Sequence, residues 1–403
     1  MDFYIARQPI LDTEKKLFAY ELLFRDGFNN AFPKIDSNEA TQRLIENGEF
    51  SSGFKSITAN YKAFINFTEH AILKGLPELL PKNDIVIELL ETVTPSEAVL
   101  AAVKQLKSEG YILALDDFEY YSDWDPFLPF IDIIKLDFRA LTEKQIRQQM
   151  AYRSSFSGVY LAEKIETYEE FHQARELGFG YFQGYFFARP EVLKRKSLPV
   201  SHKIYLELLE TLSNPDYDPD YVARLVEHDA GISYKLLRFV NSAFFSRRSQ
   251  INSLKQAVVR LGQAEIRKFL AIIATASLGE QKPNELLRLL MTRAKFCEQL
   301  ARSNVRYGAD PDTAFLIGLL SKLDALMDDD LPYLLNYIAA SDVICKALLE
   351  KRGPIAFFIG TSEALEQAHW EAVTNASTKL KLEERKLMQL YHGAANWAIN
   401  LSS

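Results

Sequence analysis

Hydrophobic and polar positions follow two different patterns along the chain. Up to about residue 190, short runs rich in β-branched and aromatic residues alternate with amphipathic stretches such as SEAVLAAVKQLKSEG and YEEFHQARELG, the second ending on Gly178. The strand candidates are FYIARQPI, LFAYELLFRD, AFINFT, DIVIELLE, ILALDD, FIDIIKLDF, GVYLAEKIE and YFQGYFFA. This alternation predicts a parallel sheet, and eight strands in about 190 residues favour a closed TIM-like barrel over an open Rossmann sheet.

The second half of the chain has a helical pattern throughout. After ARPEVLKRKSLPVS, apolar residues recur at spacings of three and four, as in HKIYLELLETLS and ELLRLLMTRAKFCEQLARSN. The KRK cluster is typical of a solvated linker. We therefore predict an α/β barrel domain over residues 1–197 and an all-α domain over residues 198–403.

Nearly every predicted strand carries a polar residue in or just after its apolar run. These residues are Glu21, Asn66, Glu88, Glu91, Asp116, Asp117, Lys135, Asp137, Glu163, Glu166 and Gln183. A barrel brings strand ends into one ring, where so many carboxylates would repel each other unless divalent cations lay between them. Asp, Glu and Asn oxygens suit Mg²⁺ or Mn²⁺, and two such ions are a known solution for phosphodiester cleavage.

Taken singly, each of these residues also has a simpler interpretation. Asp116 and Asp117 fit a strand end followed by a helix cap, and Glu88 with Glu91 fits a solvated face. Lys135 fits a plain ion pair with Asp137. The joint occurrence at successive strand ends favours the metal site.

At these positions the first domain resembles the EAL domain, the barrel phosphodiesterase that linearises the bacterial second messenger cyclic di-GMP. The matching segments, in the family's order and spacing, are RQPI, YELLFR, FINFT, IELLE, LDDF, IIKLD, AEKIE and FQGYFFARP. The resemblance implies one Mg²⁺ or Mn²⁺ ion held by Glu21, Asn66, Glu88 and Asp116. It implies a second held by Asp116, Asp117 and Glu163.

The same resemblance implies roles in catalysis and substrate binding. Lys135 would orient the nucleophilic water, with Glu163 and Glu91 as further catalytic residues. Arg25 takes the position that contacts a phosphate. The remaining substrate-binding positions are Gln8, Gln183 and Pro190.

Three departures from the family pattern lead to a second hypothesis beside that of a phosphodiesterase. Leu22 replaces the alanine of EAL, Lys164 replaces the glycine of AEGVE, and EYYSDW replaces the usual GTGYSS after DDF. In the family that loop couples dimerisation to metal binding, so the resemblance also implies a homodimer. The alternative is a degenerate EAL domain that acts as a cyclic di-GMP receptor or a protein-interaction scaffold. A third hypothesis is an unrelated metabolic barrel with Lys135 as a Schiff-base amine.

The second domain resembles an HDOD domain, a helical relative of HD phosphohydrolases. The resemblance rests on LVEHDAGISYKLLRFVNSAFF, SLKQAVVRLGQAEIRKFL and FLIGLLSKLDAL. The dipeptide His228-Asp229 is interpreted as a helix-end cap. After GLL, where an active enzyme would carry its metal dyad, stand Ser321 and Lys322, which make a poor metal site. The resemblance implies a noncatalytic regulatory module with an unidentified protein partner.

Composition narrows the class of protein further. The formal net charge of −7 argues against DNA or RNA binding, which depends on Lys and Arg neutralising phosphates. Cys297 and Cys345 make no CxxC pair, which indicates buried reduced thiols. The segment MDFYIARQPILD lacks the pattern of a signal peptide, and no run approaches the roughly 18 apolar residues of a membrane span. We expect a cytoplasmic bacterial protein without membrane contact.

Overall fold

The first part of the chain folds into the closed barrel that the strand pattern predicts. The structure is a computed structural model, and it describes residues 4–25, 58–118, 122–151, 156–191, 200–214, 216–240 and 262–402. Its eight strands form one closed barrel in sequence order. They are β1 (Tyr4–Asp12), β2 (Leu17–Arg25), β3 (Lys62–Phe67), β4 (Ile85–Leu89), β5 (Ile112–Leu115), β6 (Ile133–Asp137), β7 (Val159–Glu163) and β8 (Tyr181–Gln183).

Strand β1 corrects the prediction of a wholly parallel sheet. It runs antiparallel to both β2 and β8, whereas the other neighbouring strands pair in parallel. Only residues 13–16 join β1 to β2, and so short a connection reverses the chain because a parallel crossover needs a dozen or more residues. Asp12 closes this turn by accepting hydrogen bonds from the backbone N–H groups of Glu14 and Lys16, at 2.8 and 2.9 Å.

The barrel interior is built in layers, and the predicted site is one of them. A buried apolar layer consists of Ile10, Ala19, Phe64, Val86, Ala114, Ile133 and Leu161. Side chains two positions apart along a strand share a face. Two positions further toward the carboxyl ends of β2 to β7, the same face therefore carries Glu21, Asn66, Glu88, Asp116, Lys135 and Glu163. On antiparallel β1 the equivalent step from Ile10 runs backwards and reaches Gln8.

Helices cover the outside of the strands, and three of the four in this part of the described chain begin and end on capping residues. They are α1 (Glu69–Leu73), α2 (Glu97–Ser108), α3 (Glu143–Ala151) and α4 (Tyr168–Leu177). Thr167 and Glu170 form a reciprocal capping box at the start of α4. Gly178 ends α4 in the left-handed conformation, with φ of 98°, as predicted.

Beyond residue 200 the described chain is helical, as predicted. Its helices are α5 (Val200–Ser213), α6 (Pro219–His228), α7 (Ala230–Val240), α8 (Gln263–Leu278), α9 (Asn284–Ser303), α10 (Pro311–Leu320), α11 (Leu323–Met327), α12 (Leu331–Tyr337), α13 (Asp342–Leu348), α14 (Pro354–Glu366), α15 (Trp370–Leu380) and α16 (Glu384–Ser402). Asp229 ends α6 and accepts a hydrogen bond of 2.8 Å from the N–H of Ile232 in α7, which confirms the capping role of the HD dipeptide.

The chain divides into two compact units. One comprises Met1–Phe187 with Ala364–Ser377 and Glu383–Met388, and the other contains the rest. The predicted boundary between residues 197 and 198 lies outside the described residues and stays a prediction. Both cysteines are free, Cys297 buried and Cys345 half-buried, so the expectation of full burial is wrong for the second. None of the described helices is both long and apolar enough to span a bilayer.

A buried ion cluster joins three helices of the second unit. The side chain of Lys268 is 5% exposed, and its ammonium group contacts Glu298 at 2.7 Å, Asp312 at 2.9 Å and Glu265 at 3.0 Å. Burial alone would raise the pKa of Glu298, but hydrogen bonds from Lys268 and Lys295 lower it from 4.5 to about 2. The ionised form of Glu298 is therefore the one that stabilises the fold.

The lowered pKa of Glu298 predicts a loss of stability in acid. Its contribution, about 2–3 kcal/mol, is fully present above the unfolded pKa near 4.5 and is lost as the pH falls toward 2. Urea unfolding followed by circular dichroism at pH 6 and pH 3 measures this. We expect Glu298→Gln to be less stable than the wild type at pH 6, and this gap to narrow by about half at pH 3. An equal gap at both pH values would contradict the prediction.

Candidate active site

Lys135 lies at the centre of the polar layer above the apolar core. It is 1% exposed, and its ammonium group contacts Glu163 at 2.7 Å, Asp116 at 2.9 Å and Glu21 at 3.6 Å. It also donates a short hydrogen bond to Glu88, which is fully buried. One ammonium group thus holds together carboxylates from β2, β4 and β7 and from the end of β5.

Amide side chains fix the orientation of Glu21. The Nδ2 group of Asn66 donates to Glu21 Oε1 at 3.0 Å, and the Nε2 group of Gln183 donates to Glu21 Oε2 at 2.6 Å. The same Gln183 nitrogen donates to Gln8 Oε1 at 2.9 Å. The Glu21 carboxylate thereby joins β2, β3 and β8, and the Gln183 amide adds β1.

Burial and neighbouring charges shift the pKa values of the carboxylates in this cluster in opposite directions. Burial raises the pKa of Glu88 well above its usual range, and raises that of Glu163 to about 8, although Lys135 opposes both shifts. Burial would also raise the pKa of Asp116, but Lys135 and hydrogen bonds bring it below its ordinary value. Burial opposes the charge on Lys135, yet the surrounding carboxylates raise its pKa well above normal. The cluster carries more negative charge than one ammonium balances.

The residues present fit a divalent cation. Asp116, Asp117 and Glu163 each offer a carboxylate oxygen, and these oxygens lie within 4.8 Å of one another. Three buried oxygens of this polar layer have no hydrogen-bond partner among the described residues: Asn66 Oδ1, Glu88 Oε2 and Gln183 Oε1. Buried acceptors without partners are costly. A cation with its coordinated water would satisfy oxygens of this kind.

A cleft of about 400 Å³ opens beside the two aspartates. Its walls include Asp116, Asp117, Phe118 and Trp124, and Glu91 lies exposed on its rim. Trp124 is 5% exposed and packs edge to face against Phe118, with ring centroids 6.1 Å apart. The end of the EYYSDW segment therefore forms part of the wall. Sequence reasoning did not assign Trp124 this place, although a tryptophan in an acidic loop was a visible signal.

Most of the predicted site residues are brought together. Those joined by contacts around Lys135 are Gln8, Glu21, Asn66, Glu88, Asp116, Glu163 and Gln183. Pro190 is half-buried beyond β8. The side chain of Arg25 and residues 119–121 of the altered loop lie outside the described residues, so their predicted roles stay predictions.

Two of the simpler interpretations are wrong. Lys135 does not pair with Asp137, whose Oδ2 atom is bound by Lys164 at 2.5 Å. Glu88 is buried and only Glu91 is exposed, so the two do not form one solvated face. The raised pKa of Lys135 does not fit a Schiff-base amine, which needs a lowered pKa.

Gly184 shows why the QGY segment requires a glycine. Its φ is 142°, and a Cβ atom there would lie 2.0 Å from the carbonyl oxygen of Ile165. The backbone N–H of Ile165 in turn donates to Gln183 at 2.9 Å. This close approach places Gln183 and Glu163 at the same end of adjacent strands.

In the second unit, cations lie at and beside Ser321 and Lys322, the pair predicted to make a poor metal site. Arg293 is 2% exposed and donates to Ser321 Oγ at 3.4 Å and to Glu363 at 3.2 Å. Burial, together with the charge of Arg293, lowers the pKa of Lys322. An arginine and a lysine at this position repel a divalent cation, which supports the prediction of a poor metal site.

Comparison with known proteins identifies both halves of the chain. The family model of the HDOD domain matches residues 198–332, and that of the EAL domain matches residues 54–190. The chain is 39% identical to the cyclic di-GMP phosphodiesterase CdgJ of Vibrio cholerae, over 99% of this chain and 93% of that protein. It is 32% identical to the uncharacterized protein YuxH of Bacillus subtilis, over 100% of this chain and 99% of that one.

Solved structures also resemble the chain. The phosphodiesterase MucR in complex with cyclic di-GMP aligns at 18% identity and a TM-score of 0.37, over 47% of this chain and 97% of that chain. The EAL enzyme Bd1971, with cAMP and cyclic di-GMP bound, aligns at 19% identity and a TM-score of 0.36, over 47% of this chain. The alignment spans 62% of the Bd1971 chain.

Proposed function

The chain belongs to the family of proteins that carry an EAL domain followed by an HDOD domain, and we propose that it hydrolyses cyclic di-GMP to the linear dinucleotide. A relative that is 39% identical along nearly its whole length carries the name cyclic di-GMP phosphodiesterase. The residues that this chemistry needs are present in this chain and most of them are in mutual contact.

The observation that carries the proposal is the ring of acids around Lys135. Five carboxylates, Glu21, Glu88, Asp116, Asp117 and Glu163, belong to this ring or adjoin it. With the ammonium group of Lys135, they leave four negative charges when all are ionised. Two divalent cations would neutralise that charge, and phosphodiester cleavage is a reaction that two ions promote.

The oxygens divide naturally between two Mg²⁺ or Mn²⁺ ions. Glu21, Asn66, Glu88 and Asp116 would hold one, and Asp116, Asp117 and Glu163 the other. Bound ions would supply an acidified water and would draw negative charge from the phosphate. Gln183 and Asn66 keep Glu21 oriented, because their N–H groups occupy one lone pair on each of its oxygens.

Lys135 would act on the attacking water. Its ammonium group lies within 2.9 Å of Glu163 and Asp116, so a water held between those carboxylates is within its reach. There it donates a hydrogen bond and supplies positive charge where hydroxide develops. Glu91, exposed beside the cleft, and Glu163 would be further catalytic residues, and Gln8, Arg25, Gln183 and Pro190 would position the substrate.

Removal of metal tests the proposal directly. We expect purified protein stripped with EDTA to lose activity by about 10³-fold or more, and Mn²⁺ or Mg²⁺ to restore it. Chromatography of the linear dinucleotide measures the product, and Glu21→Ala serves as the matched control because it removes one carboxylate ligand. Metal-dependent product no greater than that of Glu21→Ala would contradict hydrolysis by this site.

A second function is favoured by the sequence of the loop after Asp117. EYYSDW lacks the glycines and threonine that this family uses there, so the barrel would bind cyclic di-GMP without turnover. Calorimetry that shows tight binding of cyclic di-GMP, together with no product in the assay above, would favour this receptor role. Absence of both binding and turnover would favour a protein-interaction scaffold.

The helical domain completes the proposal as a noncatalytic regulatory module. The cations Arg293 and Lys322, at the position of a metal dyad, support a role in binding rather than catalysis. We propose that it transmits a signal between the barrel and a protein partner, and that the chain acts as a homodimer. Cross-linking of the full chain, with and without cyclic di-GMP, tests the second point.

A further inference from the structure

Lys164 follows Glu163 directly and has an unusual backbone conformation. Its φ is 58°, in the left-handed region that side chains other than glycine seldom adopt. The backbone is held on both sides, because Glu163 O accepts from the N–H of Phe138 and the N–H of Ile165 donates to Gln183 O. A lysine is thus placed, against its backbone preference, at the edge of the acidic ring.

The side chain of Lys164 holds Asp137 in place. Its Nζ atom lies 2.5 Å from Asp137 Oδ2, while Asp137 Oδ1 accepts from the N–H groups of Arg139 and Ala140 at 2.8 and 2.9 Å. Asp137 is the register partner of Glu163 on the neighbouring strand. A free Asp137 carboxylate would therefore add a further negative charge next to the ring.

The other acids around Lys164 make its charge matter. The ammonium group also interacts electrostatically with Asp117 and Glu163, two of the three carboxylates whose oxygens lie within 4.8 Å of one another. Glu166, further along the same loop, is paired instead with Arg139 at 2.8 Å. Lys164 is therefore the cationic residue that is adjacent in the sequence to Glu163, a member of this group of three carboxylates.

We propose that Lys164 is a positioning residue that weakens binding of the cation held by Asp116, Asp117 and Glu163, both by keeping Asp137 away from it and by its own positive charge. This inference rests on the proposed metal-dependent function. It gives the site of this chain a weaker affinity for that ion than the same ring would have with glycine at position 164. Occupancy of the site then depends on the metal concentration around the protein.

Titration calorimetry of the metal-stripped full chain with MnCl₂ tests the proposal without using activity. We expect Lys164→Gln and Lys164→Gly to tighten the weaker Mn²⁺ binding step by about 3-fold to 10-fold, since one charge close to a divalent ion is removed. Lys164→Arg should bind as the wild type does. The tightening should shrink at high NaCl, because salt screens an exposed charge.

Matched variants separate charge from backbone strain. Lys62→Gln removes a lysine whose Nζ binds Asn83 O at the opposite end of the barrel, and its Mn²⁺ binding should not change. Lys164→Gln removes the charge but keeps a side chain on the left-handed backbone, so the strain remains, whereas Lys164→Gly removes both the charge and the strain. Melting curves by circular dichroism confirm that each variant is folded. Tightening in Lys164→Gly alone would overturn the proposal, as would unchanged binding in Lys164→Gln.

The outcome is distinguishable from failure of the proposed function. A wild-type protein that binds Mn²⁺ but does not hydrolyse cyclic di-GMP leaves the role of Lys164 standing if Lys164→Gln still binds the ion more tightly. A wild-type protein that binds no Mn²⁺ would overturn both.

Discussion

Substitution of Lys135 with methionine is expected to lower both the stability of the metal-free protein and the rate of cyclic di-GMP hydrolysis. Lys135 is 1% exposed and contacts four carboxylates, those of Glu21, Glu88, Asp116 and Glu163. Removing one partner from a buried ion cluster costs about 3–5 kcal/mol. Loss of a positive donor at the attacking water lowers the rate by about 10²-fold to 10³-fold. Melting curves in EDTA and product assays with Mn²⁺ measure the two effects.

Metal should reverse the first effect and not the second. Bound Mn²⁺ would replace the missing positive charge, so we expect it to raise the melting temperature of Lys135→Met more than that of the wild type. The control Lys62→Met removes an outlying lysine, and we expect it to change stability by less than about 1 kcal/mol. An unchanged melting temperature of Lys135→Met in EDTA would show that the ion cluster contributes little. An unchanged rate would remove Lys135 from the mechanism.

The barrel was predictable because the polar and apolar layers follow one rule. Each strand places side chains two apart on the same face, so the apolar Val86 and the polar Glu88 both point inward. Alternation alone does not report strand direction, and the parallel prediction failed at β1 for that reason. The connection of residues 13–16 was visible in the sequence and was the signal that a reversal follows.

The members of the site were predictable from the sequence, but their pairings were not. Residue type and spacing indicated acids at the strand ends. They were as compatible with an ion pair between Lys135 and Asp137 as with any other partner of Lys135. In the structure Asp137 pairs with Lys164, and Lys135 contacts Asp116 and Glu163. Such choices depend on side-chain directions across strands, and on the positive φ of Lys164, which departs from regular strand geometry.

The loop after Asp117 also has one feature that the sequence reveals and one that only the structure reveals. The sequence shows directly that this loop lacks the glycines usual in the family. The burial of Trp124 against Phe118 could be seen only in the structure. Because the cleft beside Asp116 and Asp117 is partly walled by that tryptophan, Trp124 supports the site through packing.

Substitution of Asp116 with asparagine is expected to abolish measurable turnover, a loss of at least about 10³-fold. Asp116 lies one residue past β5, where its backbone N–H donates to Leu89 O at 2.9 Å and its Oδ1 accepts from Lys135 at 2.9 Å. It is the carboxylate assigned to both ions. Asparagine keeps the shape but offers one neutral oxygen, which cannot bridge two cations.

Comparison with Asp117→Asn separates a bridging carboxylate from a ligand of one ion. Asp117 is exposed and assigned to a single ion, so its loss should weaken one Mn²⁺ binding step in calorimetry and leave the other. Asp116→Asn should weaken both steps and reduce the rate more than Asp117→Asn does. If the two variants lose the same single step and the same rate, Asp116 does not bridge. The reaction would then need a mechanism in which each ion has its own ligands.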